Sequence, residues 1–340
     1  MKKLLQTTAL VGASAIVASA SVAEMKISGN YTHTYAFGSD ETANGLDSDS
    51  ATGGEFNITF KATNELDNGM TAKLNANMES DGNGNGFDDR EYALSIGSDS
   101  TYLEFASDKG NSTNSSAVPT IGYHPGSYAS IGGADTVFQD TLVTNIVNEE
   151  HVSINTKAAG GTFTIRYTPK DGVSPGNDAT AVTNGTSGSG TEIVYNGSPM
   201  EGLKISAGYI EEQEDSSSVA ANGDDEFTKV GASYNFGNYT IGAEWMDFDD
   251  GTATNGTGAE SMWYGISAAL SDNVSVGLSY AKQEDQLSGN TNPDEKLKTL
   301  EIGYNLGGAS LVIAAQQADN VANVETADQE VLVTRLKMSF

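Results

Sequence analysis

The stretch LVTRLKMSF (332–340) alternates apolar and polar side chains as far as Phe340. Leu336, Met338 and Phe340 share one side of this stretch. Arg335 belongs to the other side. A period of two is the pattern of a β-strand with one apolar and one polar face. The fold therefore depends on whether the apolar side meets a protein core or lipid.

The same alternation returns along most of the chain. It is seen in FNITFKA (56–62), MTAKLNANM (70–78), VGASYNF (230–236), VSVGLSY (274–280) and LEIGYNL (300–306). Glycine is abundant at 39 residues and proline is scarce at 6, while helical periodicity is almost absent. The chain is therefore predicted to be all-β.

The connectors between these segments fall into two alternating sets. The short ones are LDNG (66–69), GSDS (97–100), AAGG (158–161), GSPMEG (197–202), FGN (236–238), SDN (271–273) and LGG (306–308). The long, polar ones lie near 38–53, 80–89, 107–148, 170–190, 213–225, 249–259, 285–295 and 319–328. Strict alternation of short and long connectors predicts an up-and-down antiparallel barrel of about 16 transmembrane strands. A soluble β-sandwich or β-helix has no reason to keep its long loops at one end.

A barrel of this size has a predictable interior and rim. With about 16 strands it is too wide for its side chains to fill, so a polar inner face implies a water-filled channel. Aromatic residues at the strand ends predict two interfacial girdles. They are Tyr234, Phe236, Tyr239 and Tyr304 beside short turns, and Trp245, Trp263, Tyr264 and Tyr280 nearer the long connectors.

Residues 1–23 are predicted to be a signal peptide, which leaves 24–340 as the barrel domain. Lys2 and Lys3 precede an apolar stretch, and Ser21-Val22-Ala23 fits a small-residue cleavage site. The chain has 17 basic and 46 acidic residues, a net charge of −29, and no cysteine. It therefore lacks the basic surface that nucleic acid requires, and neither disulfides nor thiol chemistry contributes.

These features together resemble a Gram-negative general porin of the alphaproteobacterial type, over residues 24–340. The likeness rests on the leader, the strands, ELDNGMTAKLNA (65–76), the long third loop after TYLEFAS (101–107), and Phe340. It implies a homotrimer with a pore in each monomer and a third loop folded inward as a constriction. It also implies that Phe340 is a signal for the outer-membrane assembly machinery. The loop 107–148 lacks the Pro-Glu-Phe-Gly-type stretch of enterobacterial porins, so its path is not carried over.

The third loop and the polar strand faces supply candidate constriction residues. The acids are Asp108, Asp135, Asp140, Glu149 and Glu150, and the bases are Lys61, Lys73, Arg166 and Arg335. Opposed charges across a narrow aqueous pore create a transverse field that filters ions. The negative net charge predicts a preference for cations. For Asp135 and Asp140, a solvated position far from the constriction stays an alternative.

One loop partly matches a calcium site. DGNGNG (81–86) follows the first half of a calcium-binding loop, but Tyr92 stands where that loop needs a bidentate Glu. An EF-hand is therefore rejected. Asp81, Asp88 and Asp89 remain weak Ca²⁺ candidates, because hard cations favour clustered carboxylates. No cofactor and no firm metal site are predicted, and a loosely bound Ca²⁺ or Mg²⁺ is left open.

The sequence indicates a non-enzymatic protein, since the three histidines lie in unrelated segments and no nucleophile motif is present. The expected partners are outer-membrane lipid and lipopolysaccharide, other copies of the chain, the assembly machinery, and small hydrophilic solutes and ions. Two alternatives stay open. One is a secreted Ca²⁺-binding β-rich adhesin or polysaccharide-binding protein, and the other is an outer-membrane barrel enzyme.

Overall fold

A computed structural model describes residues 24–40, 50–80, 89–107, 116–123, 125, 150–169, 189–213, 224–249, 258–285, 293–321 and 328–340. Within these ranges the chain forms sixteen strands. They are β1 (Glu24–Asp40), β2 (Ser50–Glu65), β3 (Thr71–Ser80), β4 (Asp89–Gly97), β5 (Thr101–Ser107), β6 (His151–Ala158), β7 (Gly161–Thr168), β8 (Gly190–Met200), β9 (Leu203–Glu212), β10 (Asp225–Phe236), β11 (Tyr239–Asp249), β12 (Ala259–Ala269), β13 (Val274–Asp285), β14 (Glu295–Asn305), β15 (Ala309–Asp319) and β16 (Gln329–Ser339). The predicted signal peptide lies outside the described residues.

The strands close into one antiparallel barrel. Each strand pairs with its neighbours in sequence, and β1 pairs with β16. At this seam the Gly29 amide donates to the Phe340 carbonyl oxygen at 2.9 Å, and the Phe340 amide donates to the Gly29 carbonyl oxygen at 3.0 Å. The predicted strand number and topology are therefore confirmed. An up-and-down barrel contains no stacked repeats, so a β-solenoid, the fold that the adhesin alternative would need, is excluded.

Short hairpins gather at one end of the barrel, which we call the short-turn end. Gly202 in the β8–β9 turn has φ +77°, and Gly237 in the β10–β11 turn has φ +72°. Side-chain-bearing residues rarely adopt this left-handed region, so glycine allows these tight reversals. The opposite, long-loop end is where the long connectors join the strands.

The two faces of the wall differ as the alternation predicts. Leu278, Leu300 and Ile302 point outward and are about half exposed, at 54%, 52% and 49%. Thr299 and Glu301 alternate with them on β14, point inward and are 1% exposed. Such a continuous apolar outer face requires lipid. Among the described residues, none belongs to a helix long and apolar enough to cross a membrane.

The aromatic girdle prediction needs one correction. Tyr234, Tyr239 and Tyr304 are exposed outward beside the short turns. Trp263, however, is 2% exposed and points inward, because Tyr264 takes the outward position on β12. The inner wall near the long-loop end is partly apolar, and Trp263 belongs to a buried cluster there. Other members of this cluster are Ile210, Phe227, Met246, Phe248, Leu297, Val331 and Val333.

Candidate pore constriction

Part of the third loop, residues 116–123, lies inside the barrel. We call these residues the inner segment. The Ala117 amide donates to Glu244 Oε2 on β11 at 2.8 Å. Lys204 Nζ on β9 donates to the Ser116 carbonyl oxygen at 2.7 Å. Both wall side chains alternate with outward neighbours, so the inner segment crosses the inner face of the wall.

Glu301 on β14 is the main anchor of the inner segment. Its Oε2 accepts a hydrogen bond from the Ile121 amide at 2.9 Å. Its Oε1 accepts from the Gly122 amide at 2.8 Å and from the Tyr123 amide at 2.7 Å. The backbone amides of this turn have no neighbouring strand to bond to. A carboxylate that accepts three of them supplies the hydrogen bonds that they need.

Arg335 on β16 holds the same turn from the other side. Its NH1 atom donates to the Gly122 carbonyl oxygen at 2.7 Å. Its guanidinium carbon lies 4.1 Å from the centre of the Tyr123 ring, which is cation–π geometry. Burial raises the pKa of the Tyr123 hydroxyl above its ordinary value, and the charge of Arg335 offsets part of that rise. The turn therefore binds one acid and one base of the wall.

A row of inward glycines makes room for the inner segment. A Cβ added at Gly242 would lie 2.8 Å from Pro119 Cδ, and one at Gly265 would lie 2.6 Å from Val118 Cγ1. At Gly277 the added atom would lie 2.9 Å from Ile121 Cγ1. Gly231 and Gly303 also meet the segment closely. Because a Cβ at these positions would enter occupied space, glycine lets the segment approach the wall.

Two buried ion pairs lie on the inner wall, and one of them contacts the inner segment. Arg166 Nε lies 3.1 Å from Glu192 Oε2, and these side chains are 3% and 2% exposed. Lys229 Nζ lies 3.3 Å from Glu244 Oε1, and this pair is also buried. Glu244 therefore binds both a wall lysine and the Ala117 amide. Arg166 thus points inward, as its position on a polar strand face predicts.

The other candidate residues do not come together in the same way. Lys61 is exposed on the inner face of β2, opposite Lys26. Lys73 lies 3.7 Å from Asp99 near the short-turn end. Glu150 accepts a hydrogen bond at 2.9 Å from Tyr92, which points outward, so this contact lies away from the inner segment. Four further constriction candidates lie outside the described residues: Asp108, Asp135, Asp140 and Glu149. The Ca²⁺ candidates Asp81 and Asp88 also lie outside them.

No metal centre is found in the described part of the chain, where no group of three or more His, Asp or Glu is close enough to hold an ion. For the weak Ca²⁺ candidate Asp89, the structure describes the backbone at the start of β4 and not the side chain. The Ca²⁺ prediction therefore stays a prediction.

Sequence reasoning missed how the wall receives the inner segment. Strand alternation alone places Glu244 and Glu301 on the inner face, but it does not tell which groups they bind. The inward glycines of five successive strands, β10 to β14, were a usable signal, since glycine within a strand often marks close approach of another backbone. The amide and ring contacts of Tyr123 had no such signal, because they depend on the path of the loop.

A closed barrel with an apolar outer face, polar groups inside and a loop segment against its inner wall defines the class of transmembrane β-barrel channels. A model of the family described as Gram-negative porin matches residues 7–323, and the chain belongs to that family. It is an outer-membrane channel protein.

Solved structures of Rhodopseudomonas blastica porin variants share this fold. A multiple mutant has 15% sequence identity and a TM-score of 0.58, and the match covers 93% of this chain and 100% of that chain. A second mutant has 16% identity and a TM-score of 0.59 with the same coverage. A triple mutant has 14% identity and a TM-score of 0.56, again with that coverage. At these identities the likeness concerns the fold alone. No curated protein matches the chain.

Proposed function

We propose that this porin is a water-filled pore for passive diffusion of small hydrophilic solutes and ions, with a preference for cations. The observation that carries the proposal is the inner segment, which is fixed inside a barrel too wide to be filled by its own side chains. A segment held in this position narrows the lumen. Solutes would then be sorted by their size and by the charges that line the remaining passage.

The cation preference rests on charge. The chain carries a net charge of −29, and inward carboxylates such as Glu55, Glu79 and Glu104 lie on the strands β2, β3 and β5. Negative charge along a narrow aqueous passage raises the local concentration of cations. Charges on distant loops contribute less, because salt screens them over about 10 Å at 0.1 M.

Planar-bilayer recordings of the purified protein test both parts of the proposal. We expect stepwise conductance increases on insertion, and a reversal potential in a KCl gradient that shows K⁺ permeating better than Cl⁻. Absence of conductance steps from correctly folded protein would overturn the channel. A reversal potential of the opposite sign would overturn only the cation preference.

We propose further that the signal peptide 1–23 is removed, that the protein is a homotrimer, and that lipopolysaccharide surrounds it. Phe340, which stacks on Phe56 at 5.8 Å on the outer face, would be read by the assembly machinery. We propose no enzymatic activity and no resident cofactor, with loosely held Ca²⁺ or Mg²⁺ as the open exception. Native mass spectrometry of detergent-extracted protein would report the subunit number and any bound metal together.

A further inference from the structure

The short-turn end of the lumen is lined by lysines. Six of them lie on the inner face, within a few residues of a short turn or the strand terminus, and all are exposed. They are Lys26, Lys61, Lys73, Lys157, Lys204 and Lys337. Lys26 and Lys61 are directly opposite each other on β1 and β2. Two like charges in that arrangement repel each other. Their placement concentrates positive charge on this part of the inner wall.

Carboxylates at this end lie on the rim and also on the inner face, where Glu24, Glu65 and Glu104 belong to β1, β2 and β5. Asp67, Asp99, Glu201 and Asp272 belong to the short turns, outside the strands. Glu24 pairs with Lys26 at 3.0 Å, and Asp99 lies 3.7 Å from Lys73. Rim carboxylates face bulk solvent and are screened by salt, whereas charges inside a confined passage are screened less. The inward lysines outnumber the inward carboxylates within this mouth, so its inner wall has a net positive charge.

The long-loop half of the inner wall has the opposite sign. Inward carboxylates lie near the long-loop ends of six strands: Glu55, Glu79, Glu91, Glu192, Glu212 and Glu295. Two positively charged side chains of the described strands also point inward in or beside this region. Each of them is paired with a carboxylate. Arg166 pairs with Glu192, and Lys229 pairs with Glu244. In the sequence, the long connectors at this end carry many acids, and Lys109 and Lys170 are their only basic residues.

We infer that the lumen is charge-polarised along its axis, so that the channel conducts asymmetrically and gathers anionic solutes at its short-turn mouth. This inference rests on the proposed channel function and adds a direction to it. Anions concentrate at the lysine-lined mouth and cations at the acid-lined mouth, because each wall attracts its counter-ions. Small solutes with carboxylate or phosphate groups are therefore enriched where they meet the lysines.

The direction of the asymmetry follows from the two mouths. When the long-loop side is positive, cations enter through the acidic mouth and anions enter through the lysine mouth. Both ions then accumulate in the lumen and the current is large. The reverse voltage draws both ions out through the mouths that concentrate them, so the middle of the lumen is depleted. The current is therefore larger with the long-loop side positive.

Current–voltage curves of single channels in KCl test the inference. The chain has no cysteine, so Asn238→Cys introduces a single thiol in the β10–β11 turn at the short-turn end. A bulky impermeant thiol reagent is added to one side of the membrane. It blocks only those channels whose short-turn end faces that side, and so reports the orientation of each channel. In about 0.1 M KCl, where the screening length is ~10 Å, we expect a ratio of roughly two between currents at opposite voltages. In about 1 M KCl, where that length is ~3 Å, the ratio should approach one.

Two matched triple variants identify the charges responsible. Lys61→Gln/Lys157→Gln/Lys337→Gln removes three charges from the short-turn lumen, and Lys282→Gln/Lys296→Gln/Lys298→Gln removes three from the outer face of β13 and β14. We expect the first variant to lose most of the asymmetry and the second to keep it. A symmetric curve in conducting wild-type channels, asymmetry of the opposite sign, or equal effects of the two variants would overturn the inference. None of these three results involves a loss of conductance. Each would therefore overturn the inference and leave the proposed channel function standing.

Discussion

At the scale of single residues, the Arg166–Glu192 pair tests how the wall tolerates charge. Both side chains are nearly inaccessible and lie 3.1 Å apart. Removing the Arg166 guanidinium leaves the buried Glu192 carboxylate without this cation. Such a loss lowers the stability of the fold by about 3–5 kcal/mol. We expect Arg166→Met to lower the free energy of unfolding by that amount, and Arg166→Met/Glu192→Leu to recover most of the loss. Urea unfolding in lipid vesicles, followed by tryptophan fluorescence, measures both variants.

The Lys298–Asp319 pair provides the control for that prediction. Its atoms lie 3.0 Å apart, but its side chains are 47% and 25% exposed on the outer face. Exposed pairs contribute about 0–1 kcal/mol. Lys298→Met should therefore change the unfolding free energy far less than Arg166→Met. Equal losses for the two substitutions would show that burial does not determine the cost.

At the scale of elements, the inner segment depends on Glu301. Three backbone amides donate to this one carboxylate, and each bond to a charged group contributes about 1.5–3 kcal/mol. Glu301→Gln replaces one acceptor oxygen with a donor and removes the charge. We expect the amides of Ile121, Gly122 and Tyr123 to exchange their hydrogens at least about tenfold faster, which corresponds to ~1.4 kcal/mol. Hydrogen–deuterium exchange with mass spectrometry measures this change.

Glu79→Gln is the matched control for Glu301→Gln. Glu79 points inward from β3, and β3 is separated from β14 by β15, β16, β1 and β2 in the barrel. The substitution removes the same charge from the lumen, on a strand distant from the one that carries Glu301. Unchanged exchange at 121–123 in Glu301→Gln, or equal acceleration in both variants, would contradict the anchoring role.

The elements also show what the sequence could and could not predict. Strand alternation places Glu244, Glu301 and Arg335 on the inner face correctly, because a period of two depends only on local backbone geometry. It does not tell which inward groups meet, since that depends on the course of the third loop. Trp263 shows a second limit. Its strand has aromatics at adjacent positions, so the pattern alone could not tell which ring faces lipid.

At the scale of the whole molecule, the fold was the most predictable feature. Alternating short and long connectors determine the strand order and the end at which each loop lies, and both agree with the closed barrel. The strand pairing at the seam needed more than periodicity. Alternation allows β16 to shift by two residues along β1 without changing its faces, whereas the structure aligns Asn30 with Ser339.

Gly29 explains how this alignment is selected, and it carries the last prediction. A Cβ at Gly29 would lie 2.5 Å from Phe340 Cζ and 2.7 Å from the Asn57 carbonyl oxygen. The Phe340 ring therefore occupies the place of a side chain at Gly29, which is how aromatic rings compensate for glycine in sheets. We expect Gly29→Ala to lower the free energy of unfolding by about 1–3 kcal/mol through overpacking at the seam.

Gly53→Ala is the control for the seam, because nothing lies within 4 Å of a Cβ added at Gly53 on the inner face of β2. Both substitutions replace glycine by alanine and so reduce the conformational freedom of the unfolded chain by a similar amount. That contribution cancels when the two variants are compared. Gly53→Ala should shift the unfolding free energy by no more than about 0.5 kcal/mol. Urea titrations of the two variants in the same vesicles give the comparison. If Gly29→Ala is as stable as Gly53→Ala, the ring of Phe340 does not fix the position at which β16 closes on β1.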